Sequence, residues 1–252
     1  MKEQLLSIYK KTPINHIDAC ITPYRANVSF VDGPKVDIKS ETNNQEEYLI
    51  EFENKNTKEV LFSSVIKDNM WTRSNLKCFI EWKINIKEKT TGNLKEINFC
   101  LKNQRVLIHL DSKSLGDNIA WIPYVEEFGK KHDCYLICSC FKKELFEKSY
   151  PDIEFAEPGI SHEDLYASYQ IGWFDDWVNT DRNPIDPRTI SLQQTATDIL
   201  GLDYKEIKPR VDVEKPQRPI KEKYICISTS STAGCKHWQN PTGWQDTVDY
   251  LN

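Results

Sequence analysis

The sequence contains little that would place the protein in a membrane or on nucleic acid. Its apolar runs are all shorter than the roughly 18 residues of a membrane-spanning helix. Residues 1–9 lack the long apolar core of a signal peptide. The formal net charge is -5, whereas binding to a phosphate backbone requires a basic surface. We therefore expect a cytoplasmic protein with no membrane span and no nucleic-acid partner.

The cysteines and glycines also lack familiar cofactor signatures. The eight cysteines form no Cys-x-x-Cys pair, so the sequence predicts no self-contained zinc site. Several of them lie in apolar, strand-like runs, where a free cysteine behaves as a small hydrophobic residue, and a reduced protein is expected. Neither Gly-x-Gly-x-x-Gly nor a Walker A motif occurs, which disfavours a nicotinamide-dependent enzyme.

One stretch, residues 106–125, has the pattern of a strand, a polar turn and a helix. Residues 106–110 are apolar except for His109, which is typical of a buried parallel strand. The apolar helix that follows the turn is predicted to reach about Lys131. Such a junction places ligands at the carboxyl end of a sheet, and the first turn of the helix favours an anion. Asp117 stands at this junction, either as a helix N-cap or as a functional carboxylate.

Residues 1–103 are predicted to form a small β-rich domain, a sandwich or a barrel. Residues 48–53 alternate apolar and polar side chains and, with residues 60–62, predict a hairpin. The other strands expected in this domain are at 17–21, 28–31, 78–86 and 94–100. The domain shows no catalytic constellation, and we expect its candidate groups to be surface or capping residues: His16, Asp18 and Asp68.

Residues 104–209 alternate strands with helices, which predicts an α/β, Rossmann-like domain built on a parallel sheet. After the first strand and helix, the predicted elements are a strand at 134–138, a helix at 141–147, strands at 150–155 and 169–174, and a helix at 191–200 stopped by Gly201.

A charged, proline-bearing linker is predicted at 210–222. A second strand–loop–helix unit then begins, with a strand at 223–228 and a helix at 245–251. One such unit cannot bury both faces of a strand, so residues 223–252 are expected to be the start of a second Rossmann-like domain, truncated in this chain. Two domains of this kind would face each other across a cleft.

The loop of the second unit suits a diphosphate. Thr229 and Ser230 provide hydroxyl groups, Gly234 is the glycine of the loop, and Lys236 supplies a positive charge. Backbone N–H groups of the loop would bind the phosphates. The alternative interpretation is an ordinary hydroxyl-rich turn. A carboxylate on one side of a cleft and a phosphate-binding lysine on the other fit glycosyl transfer from a nucleotide sugar. Asp117 would deprotonate an acceptor hydroxyl, and Lys236 would offset charge on the leaving diphosphate.

At this point the sequence resembles a known family, the bacterial autotransporter O-heptosyltransferases, which are related to the lipopolysaccharide heptosyltransferases of glycosyltransferase family 9. The resemblance covers about residues 104–252. The residues that carry it are Asp111-Ser-x-Ser-Leu-Gly-Asp-x-Ile-Ala-Trp-x-Pro-Tyr-Val125, Tyr150-Pro151, Pro158-Gly159, Ile171-Gly-Trp173, Leu192-Gln193, Asp198-x-Leu-Gly-Leu202 and Lys236-His-Trp238.

The resemblance implies a GT-B-like fold, ADP-heptose as donor and a serine of an autotransporter as acceptor. Asp117 then takes the position of the family's general base, and Lys236 the position that contacts the diphosphate. Thr229, Ser230 and Trp238 are neighbours of the donor by the same analogy. A homo-oligomer is a further expected partner.

Two departures from the family remain. Its members have a complete C-terminal domain that holds an iron in a cysteine cluster, and none of the eight cysteines here lies where that cluster is expected. We therefore predict no metal or cofactor in this chain, although a full-length protein could hold iron. Two alternatives stay open: a related transferase that uses another nucleotide sugar, and a non-catalytic fragment that acts as a binding or assembly module.

Other candidates have simpler interpretations. His109 is expected to be packed in its strand, and His237 either touches phosphate or is exposed on its loop. The acids of the next loop are expected to be turn formers rather than a paired-carboxylate site: Asp175, Asp176 and Asp181. The tryptophans would either stack on sugar or adenine or fill the cleft wall: Trp173, Trp177 and Trp238.

Overall fold

The structure is a computed structural model that describes residues 19–21, 24–41, 46–172, 181–213, 220–231 and 234–251. These residues divide into two compact units, one within Met1–Val213 and one within Glu214–Asn252. The strands are β1 (Ala19–Ile21), β2 (Tyr24–Ser29), β3 (Lys35–Ser40), β4 (Glu47–Asn54), β5 (Val60–Lys67), β6 (Trp71–Arg73), β7 (Trp82–Glu88), β8 (Leu94–Asn98), β9 (Arg105–Leu110), β10 (Tyr135–Ser139), β11 (Ile153–Ala156) and β12 (Ala167–Ile171). The α-helices are α1 (Leu115–His132), α2 (Leu192–Leu200) and α3 (Gly243–Leu251).

The first eight strands form two antiparallel sheets, with orders β1-β2-β3-β6 and β5-β4-β7-β8. The predicted hairpin is confirmed as β4 and β5, which pair antiparallel. Tyr48, Ile50 and Phe52 alternate along β4 on its buried face. Asp68 is not at the surface as expected: it is buried and accepts a hydrogen bond from the Tyr48 hydroxyl at 3.0 Å. His16 and Asp18 lie outside the described residues.

The strand expected from residue 78 begins only at Trp82. The preceding backbone bonds to distant segments instead of a neighbouring strand, because Lys77 N–H donates to the carbonyl of Asp181 and Phe79 N–H to that of Ile199, both at 2.8 Å. This segment therefore connects the β-rich region to the helices that follow it.

The last four strands of the first unit form a parallel sheet with the order β11-β10-β9-β12. The strands predicted at 106–110 and 134–138 are confirmed as β9 and β10, within one residue at each end. The helix predicted at 141–147 is wrong: only a single 3-10 turn, Lys143–Leu145, forms. Asp212 explains the difference, since its carboxylate accepts the N–H of Lys148 and Ser149 and its own N–H donates to Leu145.

The two helices of the first unit pack beside the parallel sheet. Trp121 and Phe128 of α1 are fully buried, and the Trp121 indole N–H donates to the carbonyl of Leu192 at 2.9 Å. Gly201 ends α2 in the left-handed conformation, φ +61°, as predicted. Phe30, at the end of β2, bridges to Ala167 of β12. The β-rich region and the parallel sheet thus share one hydrophobic core, and the expected α/β fold class is confirmed.

The second unit contains the predicted terminal helix, which is confirmed as α3 and begins two residues earlier than expected. The strand predicted at 223–228 is wrong for the described residues, and Ile225 is 67% exposed there. A strand requires a hydrogen-bonded neighbouring strand, and the structure assigns residues 220–231 to no strand. Among the described residues of both units, none of the helices is both apolar enough and long enough to span a bilayer.

Candidate functional site

The loop between β9 and α1 presents the predicted carboxylate. Ser114, not Asp117, occupies the N-cap position, because α1 begins at Leu115 and the Ser114 backbone is extended (φ -68°, ψ 129°). Asp117 lies in the first turn of the helix and is half-buried. The N-cap interpretation of Asp117 is therefore wrong, and its side chain is available for another role.

Two neighbours hold this loop in place. The Ser112 hydroxyl donates to Asp117 Oδ2 at 2.6 Å and accepts the N–H of Ser114 at 3.0 Å. Asn118 is fully buried, and its Nδ2 donates to the carbonyls of Ser112 and Ser114 at 2.8 and 2.7 Å. Because buried polar groups are costly to leave without partners, Asn118 fixes the loop that orients the carboxylate.

Two residues that the sequence analysis did not identify lie beside this loop, at the carboxyl edge of the parallel sheet. Gln170 of β12 donates from Nε2 to Asp111 Oδ2 at 2.6 Å. Arg182 donates to Gln170 Oε1 at 2.5 Å. The predicted strand around residue 170 was a usable signal for Gln170, since the carboxyl ends of parallel strands meet at one edge. No local pattern points to Arg182.

His109 was expected only to pack within its strand, but its side chain also lies at this edge of the sheet. It lines two cavities, of about 280 and 220 Å³, that open on the same face of the sheet. Burial lowers the pKa of His109, and the nearby Asp111 carboxylate opposes that shift only in part. The imidazole is therefore neutral near pH 7 and can both donate and accept a hydrogen bond.

The predicted donor residues lie in the second unit. Lys236 ends a 3-10 turn, Gly234–Lys236, and is exposed. The ring of Trp238 packs edge-to-face on Trp244, with centroids 5.1 Å apart and planes at 84°. His237 folds back onto its own loop, where Nε2 lies 2.9 Å from the carbonyl of Ser231.

The structure brings some of the predicted residues into a common unit. Thr229, Ser230, Lys236 and Trp238 all belong to the unit within Glu214–Asn252, and Asp117 belongs to the other unit. The backbone of Asp181 serves a structural contact, as a carbonyl acceptor for Lys77. Several other candidates lie outside the described residues: Trp173, Asp175, Asp176 and Trp177.

The described residues supply no group of three or more His, Cys, Asp or Glu side chains that could hold a metal ion. The described cysteines do not form a cluster. Cys138 and Cys140 lie next to each other, and both are buried. The donor set of the described part of the chain therefore does not fit an iron centre.

Comparison with known proteins gives this geometry a family context. No protein-family model matches the chain. The autotransporter heptosyltransferase Aah of Escherichia coli is 37% identical over 198 residues, which is 76% of this chain and 49% of Aah. The autotransporter heptosyltransferase TibC of E. coli O78:H11 is 34% identical over 188 residues, or 73% of this chain and 46% of TibC.

This chain is a homologue of the autotransporter heptosyltransferases. It spans about half the length of the curated relatives that it matches. A further relative, from Burkholderia thailandensis, is 29% identical over 81% of the chain and 49% of its own length, and is named an inactive autotransporter heptosyltransferase, BimC.

Solved structures of TibC extend the similarity to the fold. The crystal structure of the iron-containing, dodecameric glycosyltransferase TibC from enterotoxigenic E. coli H10407 superposes with a TM-score of 0.80 and 28% identity. It covers 95% of this chain and 62% of TibC. A second TibC structure, in complex with ADP-D-β-D-heptose, gives a TM-score of 0.79, 29% identity and coverage of 95% and 61%. The structural similarity to TibC therefore includes the β-rich region.

Proposed function

We propose that the protein transfers heptose from ADP-heptose to serine hydroxyls of an autotransporter, and that it does so in the cytoplasm with a GT-B-like arrangement. The observation that carries this proposal is the similarity to heptosyltransferases over a chain segment that includes a helix-start carboxylate, Asp117, held by Ser112. Homology supports the donor and the reaction class, and the local geometry supports the role of Asp117.

The proposed chemistry begins at Asp117. Ser112 bonds to Oδ2, which leaves Oδ1 to accept the proton of the acceptor serine. As that proton moves to Oδ1, the serine oxygen forms a bond to the anomeric carbon of heptose. The bond between that carbon and the diphosphate oxygen breaks, and its electron pair leaves with ADP. General-base catalysis of this kind contributes about 10²- to 10⁴-fold to a rate.

The proposed donor site uses the loop of the second unit. Lys236 is an exposed cation that would offset the charge developing on the diphosphate. Thr229 and Ser230 offer hydroxyl groups as hydrogen-bond donors to phosphate oxygens. Trp238 is 50% exposed, so part of its ring is available to stack on adenine or on the sugar.

Isothermal titration of the purified chain with ADP-heptose tests the donor assignment. Lys236→Ala should weaken binding by about tenfold or more, since it removes a charge-assisted contact. Lys223→Ala is the matched control, because Lys223 is also exposed in the same unit, and it should bind as the unsubstituted chain does. Absence of binding by the unsubstituted chain, or equal affinities in all three proteins, would contradict the assignment.

A second candidate function is a non-catalytic binding or assembly module. The similarity to BimC, a relative named inactive, favours it. This candidate predicts complex formation with an active heptosyltransferase and no heptose transfer by the chain itself. Because the solved TibC is dodecameric, light scattering of the purified chain also tests whether it forms a homo-oligomer.

A further inference from the structure

Three polar side chains form a row across the parallel sheet. Ser139 of β10 is the register partner of His109 in β9, and His109 is the partner of Gln170 in β12. Register partners on adjacent strands lie on the same face, about 4.8 Å apart. The row therefore runs about 10 Å across the strands, near their carboxyl ends.

The two cavities share two members of this row, His109 and Gln170, in their walls. One cavity continues to Asp32, Lys77 and Arg182, and the other to Asp111 and to Phe141, Pro158 and Gly159. Because they share His109 and Gln170, the cavities adjoin one another, and the two together are called the groove. Since an extended chain advances about 3.3 Å per residue, the row alone accommodates about three residues of such a chain.

The two ends of the groove are held by hydrogen bonds and ion pairs. Asp32 accepts from Lys77 Nζ at 2.7 Å and from Arg182 at 3.3 Å, and its N–H donates to the Ser168 hydroxyl at 2.9 Å. At the other end, Asp111 is held by Gln170. Preformed polar walls of this kind lower the entropic cost of binding.

We propose that this groove binds an extended segment of the acceptor polypeptide next to its reacting serine, with His109 and Gln170 as the binding residues at its centre; this rests on the proposed function. The groove combines donors and acceptors, which matches the alternating N–H and C=O groups of a peptide backbone. The carboxylates of Asp32 and Asp111 oppose a phosphate ligand.

The position of the groove connects it with the proposed base. Asp111 lines one end of it, and the next residue, Ser112, donates to Asp117 at 2.6 Å. A chain lying over His109 and leaving past Asp111 would bring its next residues to the first turn of α1. The neutral imidazole that burial favours at His109 suits this role, because it can bond either a carbonyl or an N–H of the segment.

Fluorescence anisotropy with a fluorescein-labelled peptide tests the proposal. The peptide carries one central serine between threonine, valine and asparagine residues. His109→Leu and Gln170→Leu should each raise its dissociation constant about tenfold through a lost hydrogen bond. Gln104→Leu is the matched control at the opposite, amino end of β9, and it should leave the dissociation constant unchanged. Thermal unfolding by circular dichroism confirms that each variant is folded.

The outcomes separate this inference from the function on which it rests. If both groove variants lose peptide affinity and no protein transfers heptose, the proposed transferase function is refuted, but peptide binding in the groove is supported. Peptide affinity that is the same in all variants, or absent in the unsubstituted chain, would overturn the groove assignment. Calorimetry with ADP-heptose should give equal donor affinity in the groove variants, which a general loss of structure would not.

Discussion

Replacing Gly201 by alanine tests how the β-rich region packs on the helices of the parallel sheet. Gly201 has φ +61° and ends α2, with its N–H bonded to the carbonyls of Thr197 and Asp198. A Cβ at this position would lie 2.3 Å from Cδ1 of Phe79. Phe79 comes from the segment between β6 and β7, so the contact joins distant parts of the first unit.

Two costs add in this variant. A non-glycine residue in the left-handed conformation costs about 1–2 kcal/mol. Phe79 must also move within a ring cluster that includes Phe99, Phe128 and His132, and overpacking of this kind costs about 1–3 kcal/mol. We therefore expect Gly201→Ala to lower the free energy of unfolding by about 2–5 kcal/mol.

Gly92→Ala isolates the backbone cost. Gly92 also has a positive φ, +76°, but a Cβ there would meet no atom within 4 Å, so only about 1–2 kcal/mol should be lost. Urea unfolding of the two variants and the unsubstituted chain gives the free energies by linear extrapolation. Equal losses in the two variants would refute the packing of Phe79 against the end of α2.

Three other predictions concern stability and the site. Burial lowers the pKa of His132 to about 4, below its value of about 6.5 in the unfolded chain, so the unfolded chain binds the extra proton first and stability falls as the pH drops from about 6.5 to about 4. His132→Phe should reduce that fall by up to about 3 kcal/mol, measured by urea unfolding at both ends of the window; an unchanged pH profile would count against it. Asn118→Ala should cost about 1–3 kcal/mol in the same assay, because the carbonyls of Ser112 and Ser114 lose the side-chain amide that bonds both; a loss under about 0.5 kcal/mol would contradict the contacts. Ser112→Ala should lower the rate of heptose transfer several-fold at unchanged ADP-heptose affinity, through a less well oriented Asp117; an unchanged rate would remove Ser112 from that role.

The elements that local pattern predicted well are those whose signals are themselves local. The apolar run of β9, the turn and the start of α1 are contiguous in the chain, and Gly201 marks the end of α2 as a left-handed cap. The position of Asp117 near the helix start followed from the same stretch. The interpretation of Asp117 as the helix N-cap was wrong. The helix begins at Leu115, two residues before Asp117, and Ser114 is its N-cap.

The elements that pattern misjudged depend on distant partners. Residues 141–147 have an amphipathic pattern, but Asp212 takes the backbone groups that a longer helix would need. Residues 223–228 have the composition of a strand, and a strand forms only against a neighbour.

The hydrogen-bond network at the carboxyl edge of the parallel sheet could not be predicted from local sequence patterns either. Arg182 bonds to Gln170, 12 residues away, and to Asp32, 150 residues away. These contacts depend on strand order and register, which periodicity does not encode.

The most direct test of the central claim is the intact mass of an acceptor polypeptide after incubation with ADP-heptose. The incubation contains either the unsubstituted chain or its Asp117→Asn variant. Asp152→Asn, an exposed carboxylate in the turn before β11 and outside the groove, serves as the control. We predict that the unsubstituted chain adds heptose to the acceptor and that Asp117→Asn slows this by about 10²-fold or more, while Asp152→Asn retains most of the rate. Transfer by Asp117→Asn at the unsubstituted rate, or no transfer by the unsubstituted chain, would contradict the account.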